Sequence, residues 1–67
     1  MKLSNIKILF QEELSELYSK SETEELFAIF CEYFLNLNKI ELRNNLNTQL
    51  SESDFTKFYE AVSELKT

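Results

Sequence analysis

Sixty-seven residues, 43% of them hydrophobic and 28% charged, make one small domain, apolar enough to fold and too short for a second core. Twelve acidic against seven basic residues give a net charge of -5, whose field repels phosphate and argues against direct nucleic-acid binding. Glycine, proline and histidine are absent and cysteine occurs once, which excludes glycine-rich phosphate loops, nucleophile elbows, the usual imidazole base and any internal disulfide, and fits a reducing cytoplasm.

The first predicted helix covers residues 3–18. Leu3, Ile6, Phe10, Leu14 and Leu17 recur at steps of three and four on one stripe, widened by Leu9 and Tyr18. Lys2, Lys7, Gln11, Glu12 and Ser15 lie elsewhere on the wheel. The apolar stretch Ile8 to Phe10 is too brief for a secretory signal, and acidic residues follow at once. A second helix is predicted over 21–37, with Ser21 as N-cap, Glu24 at capping-box spacing, and Glu22, Glu24 and Glu25 suited to the positive end of the helix dipole. Leu26, Phe30, Tyr33 and Leu37 form one stripe and Phe27, Cys31 and Phe34 a neighbouring one. A helix apolar on more than one side is expected at the centre of the fold. Its longest apolar run, Leu26 to Cys31, falls far short of the roughly 20 residues a membrane span requires.

Asn38 repeats the capping device, with Glu41 three residues on and Leu37 and Leu42 placed as a hydrophobic staple, so a short third helix is predicted over 39–45. The polar connection "NLNTQ" follows, and its one apolar residue, Leu46, is expected to tuck beneath it. Ser51 caps a fourth helix over 51–66. There Asp54 stands as a shorter substitute for Glu, Leu50 and Phe55 are spaced as the staple, and Phe55, Phe58, Tyr59, Val62 and Leu65 form the apolar stripe. The predicted fold class is therefore all-α, a compact bundle of about four helices.

Residues able to carry chemistry are few. Cys31 has no imidazole partner and is expected to act as a small buried hydrophobe. Glu12 with Glu16, and the trio Glu22, Glu24 and Glu25, read as solvent-facing charges and helix-start acids, with no metal-binding role. Tyr18, Tyr33 and Tyr59 sit at stripe positions and are expected at the core or its edge, in preference to a stacking platform for bases. No catalytic, cofactor-binding or metal-ligating residue is predicted. Lys39, Glu41 and Arg43, on a short helix between two long ones, are the candidate partner-binding residues, from where charge can steer a docking protein; an ordinary solvated face is the alternative.

In order, the amphipathic opening helix, "ELFAIFCEYFLNLNKIEL", "NNLNTQL" and "LSESDFTKFYEAVSELK" resemble the N-terminal helical domain of the PrmC/HemK family, the bacterial release-factor glutamine methyltransferases. In that family a leucine-rich helix similarly leads into a polar, basic, variable, Glu, Leu segment, matched by Asn38, Lys39, Ile40, Glu41 and Leu42. An Asn-bearing connection follows, then a helix opening on Leu, Ser and acidic residues, matched by Leu50, Ser51, Glu52 and Asp54. The family's proline falls on Leu46, a local departure. The resemblance covers essentially the whole chain and implies a domain that positions a peptide chain release factor. It also implies a catalytic domain in cis beyond Thr67, which would carry a glycine-rich S-adenosylmethionine loop and an Asn-Pro-Pro-Tyr motif for the target glutamine. No cofactor is then expected in these residues, no membrane or nucleic acid as partner, and a cytoplasmic setting. The other reading is a free-standing helical interaction or dimerisation module, in which a leftover apolar face meets a partner helix.

Overall fold

A computed structural model describes residues 1–67. Four helices, α1 (Leu3–Leu14), α2 (Lys20–Leu35), α3 (Lys39–Asn44) and α4 (Glu52–Leu65), form an all-α bundle measuring 27 × 23 × 18 Å. α2 is central and packs against α1, α3 and α4; α1 also packs against α4, whereas α3 touches α2 alone among the helices. None of the helices is long and apolar enough to cross a membrane.

The first break falls earlier than the periodicity predicts. α1 ends at Leu14, and the N–H groups of Leu17 and Tyr18 both turn back to the Leu14 carbonyl, at 3.1 and 2.9 Å. Leu17 consequently leaves the stripe and is 56% exposed. The cause lies in the next helix, which is capped by Ser19 in place of Ser21: the Glu22 N–H donates to Ser19 Oγ (3.1 Å), and the Ser19 N–H donates to Glu22 Oε1 (2.9 Å). Starting two residues sooner places Thr23 in the second turn, where it is 2% exposed and its hydroxyl donates to the Ser19 carbonyl at 2.9 Å. Burying that hydroxyl is tolerable because it has this partner.

α2 stops at Leu35, short of the predicted 37. Asn36 adopts the left-handed conformation (φ 57°, ψ 39°), its N–H donates to the Glu32 carbonyl (3.0 Å), and the Leu37 N–H reaches the Cys31 carbonyl (3.4 Å). This arrangement normally uses glycine, and in a chain without glycine an asparagine, the next most tolerant residue, takes the position. At α3 the Asn38 and Glu41 box forms as expected. At α4 Ser51 Oγ accepts from the Asp54 N–H (3.2 Å), but the shorter Asp54 carboxylate makes no return bond to the cap and lies 3.9 Å from Lys57 instead.

The cap position before α1 is held by Lys2, which has no capping oxygen in its side chain. The orphan N–H groups of Leu3 and Ser4 donate instead to the carbonyls of Thr48 (3.0 Å) and Leu46 (2.8 Å), while the Leu50 N–H donates to the Met1 carbonyl (2.8 Å). The α3–α4 connection therefore caps α1 from across the sequence. Asn45 stiffens it, donating to the Glu41 carbonyl (2.7 Å) and accepting from the Thr48 hydroxyl (3.0 Å). Leu46 is half-buried against the core, as its isolated apolar character predicts, and so are the staple residues Leu37, Leu42, Leu50 and Phe55.

The core joins Leu3, Ile6, Phe10 and Leu14 of α1 to Phe27 and Cys31 of α2 and Phe58 and Val62 of α4. Phe10 sits amid aromatic neighbours: its ring centroid is 5.5 Å from that of Phe27, 6.0 Å from Phe30 and 6.2 Å from Phe58. Phe34 closes the group edge-on to Phe58 at 5.1 Å and stacks on Phe30 at 5.6 Å. Full burial of each such side chain contributes about 1.5–3 kcal/mol, which lets a short chain maintain three-helix packing. Two aromatic assignments are corrected. Tyr33 is 80% exposed and Tyr59 54% exposed, because the inward line of α2 runs through Thr23, Phe27 and Cys31, and that of α4 through Phe58, Ala61 and Val62.

Candidate protein-docking groove

The short helix α3 is held at its start by side chains of its own sequence. The Glu41 N–H donates to Asn38 Oδ1 (2.8 Å), and the Asn38 N–H donates to Glu41 Oε1 (3.1 Å). Leu42 faces the core, half-buried, and Lys39 reaches across to Glu25 on α2 at 3.4 Å. That ion pair is largely exposed and so contributes little to stability, at most about 1 kcal/mol. Arg43 is exposed and makes no ion pair.

Between α2 and α3 runs an open groove of about 310 Å³. Its apolar lining comes from Phe27, Ala28, Leu42 and Leu46, and Lys39 and Arg43 flank it. Lys7 of α1 completes the lining, together with Ser21, Glu24 and Glu25 of α2. The structure thus brings two of the three predicted partner-binding residues to one groove. Glu41 is not among the lining residues, and its carboxylate is engaged in the cap of α3. Lys7, which the periodicity sets apart from the apolar stripe, is not singled out by sequence and proves to lie closer to that stripe than expected. Its position four residues after Leu3 and three before Phe10, at the border of the buried stripe, is the signal that marks it, and it is half-buried.

The groove's size is at the lower end of the range for ligand sites, enough for one or two side chains. Its charge sets it apart. Three of the chain's seven basic residues and two of its twelve acidic ones line it, leaving four bases against ten acids on the rest of the molecule. A second groove, between α2 and α4, is lined by Phe30 and Phe34 beside Lys57, Glu60 and Glu64.

The other candidate groups are dispersed. Cys31 is fully buried, and burial pushes its thiol up to about 12, so it stays protonated and unreactive at neutral pH. Glu22 is held below the ordinary carboxylate value by the Ser19 backbone N–H and then by the Ser19 hydroxyl, a consequence of capping. Glu12, Glu16, Glu24 and Glu25 are exposed. Tyr33 rests edge-on against Phe34 and Tyr59 is tilted against Phe55, each on its own helix, while Tyr18 is half-buried at the α1–α2 turn. No protein-family model matches the chain, and neither a curated protein nor a solved structure matches it.

Proposed function

We propose that this domain binds a peptide chain release factor and orients it so that a glutamine side chain reaches an S-adenosylmethionine-dependent methyltransferase domain on the same polypeptide. The observation that carries the reading is the ordered run from Leu26 to Lys66. Two of its matched segments correspond to real caps: the Asn38 and Glu41 box opens α3, and Ser51 opens α4. The charged groove beside α3 is in keeping with a protein partner.

The contribution of such a domain is positional. It offers no nucleophile or general base, and the cofactor and the methyl transfer belong to the catalytic domain in cis. Binding energy gained far from the reacting atoms fixes the substrate's orientation, and a misplacement of about 1 Å can cost about a hundredfold in rate. The setting is cytoplasmic, and the process served is translation termination.

A pull-down tests this. Immobilised domain should retain purified release factor, and the Lys39→Glu/Arg43→Glu double variant should retain less; Glu41 is left unchanged because its carboxylate caps α3. No retention by the wild type refutes the proposal. One observation favours a second reading, a helical interaction or dimerisation module: Ile29, Tyr33 and Ile40 are 51%, 80% and 74% exposed. Light scattering separates a self-associating module, whose mass rises with concentration, from a monomer.

A further inference from the structure

We infer that the α2–α3 groove accepts an acidic peptide segment anchored by one large apolar side chain. The inference deepens the proposed function, since it rests on the partner being a protein, and it names the chemistry that partner presents. Charge is the first ground: the lining is net basic on a molecule that is otherwise strongly acidic, so an acidic segment is attracted here and repelled elsewhere. Pairing is the second. Lys39 is partly neutralised by Glu25, but Lys7 and Arg43 make no ion pair and no side-chain hydrogen bond, which leaves two cations available to a ligand. They come from different helices, α1 and α3, so a single acidic stretch would draw on both. Shape is the third: the apolar lining contributed by Phe27, Ala28, Leu42 and Leu46, in a volume of about 310 Å³, suits one Leu- or Phe-sized anchor. Glu24 and Glu25 repel the acidic stretch from their part of the lining and so direct it toward Lys7 and Arg43.

The probe is the blocked pentapeptide acetyl-Asp-Glu-Leu-Glu-Asp-amide, titrated into the isotope-labelled domain and followed by amide chemical shifts. Controls are its amide analogue, with Asn and Gln for the acids, and a version with Gly for the central Leu. Expected are shifts clustered at Lys7, Ala28, Leu42 and Arg43, an affinity about tenfold lower for each control, and a similar loss in the Lys7→Gln/Arg43→Gln variant. Neither side chain makes an ion pair or hydrogen bond in the structure, so the variant keeps the fold, which far-ultraviolet circular dichroism checks. Equal shifts from the uncharged peptide, shifts centred on the α2–α4 groove, or none at millimolar peptide each overturn the inference. The wild-type domain, assayed against release factor alongside the peptide, separates the two proposals. If release factor binds the domain while the acidic peptide does not, the groove assignment falls and the proposed function stands. If the peptide binds as expected and release factor does not, the groove assignment stands and the proposed function falls.

Discussion

Replacing Phe10 by leucine should remove a large part of this domain's stability. The Phe10 side chain is fully buried and meets Phe27 and Phe58 edge-on and Phe30 at a tilt, with centroids 5.5, 6.2 and 6.0 Å away. Each edge-on pair contributes about 0.5–1.5 kcal/mol beyond its buried area, so losing two costs about 1–3 kcal/mol, and the gap left by the narrower side chain adds to this. For a chain of 67 residues the whole unfolding free energy is about 3–10 kcal/mol, so the variant should be markedly weakened yet still folded. Phe10→Ala, at about 3–5 kcal/mol, should cost more than Phe10→Leu and shift the unfolding midpoint further. The assay is urea unfolding followed by far-ultraviolet circular dichroism, with Phe55→Leu as the control. Phe55 is only half-buried, and its one aromatic neighbour is the exposed Tyr59 at 6.0 Å, so its replacement should cost less than about 1 kcal/mol. Equal losses at the two positions would refute the claim that a phenylalanine cluster centred on Phe10 holds the three long helices together.

Capping and ionisation give further predictions. Ser19→Ala should cost about 1 kcal/mol and Ser21→Ala almost nothing, because only Ser19 accepts from a helical N–H; chemical unfolding of the pair distinguishes them, and the reverse order would move the start of α2. Asn36→Gly should stabilise by up to about 1 kcal/mol and Asn36→Ala destabilise by about as much, since only the backbone conformation at that residue changes in cost; matched thermal melts read both. The Cys31 thiol, at about 12 in the folded chain against an ordinary 9.0, binds its proton more tightly when folded. The part of the stability linked to this thiol is therefore whole below about pH 9 and falls by about 1.4 kcal/mol per pH unit above it until the folded thiol ionises. Unfolding measured against pH should show this extra alkaline slope in the wild type and lose it in Cys31→Ala.

Local signals recovered most of the fold. Caps at Asn38 and Ser51 depend on side chains three residues away from their partners, and the four apolar stripes need only helical spacing, so both are legible in the chain. The failures have physical causes of different kinds. Ser19 with Glu22 and Ser21 with Glu24 offer the same spacing, and what selects the first is the burial of Thr23, a tertiary effect. Tyr33 and Phe34 are adjacent on a helix rich in apolar residues, where a rotation of one position decides which ring enters the core. The cap of α1 comes from carbonyls of Leu46 and Thr48, whose distance in sequence hides it from any local pattern. The candidate groove was half legible. Lys39 and Arg43 stood out as charges on a short helix, but Lys7 joins them only through the packing of α1 beside α2.

The most direct test of the proposed role is a titration of the isotope-labelled domain with unlabelled release factor, followed amide by amide. Binding that broadens or shifts Lys39, Leu42 and Arg43 first, and leaves the α4 surface around Lys57 and Glu60 unchanged, is the predicted result. Spectra that stay the same in the presence of excess release factor contradict it.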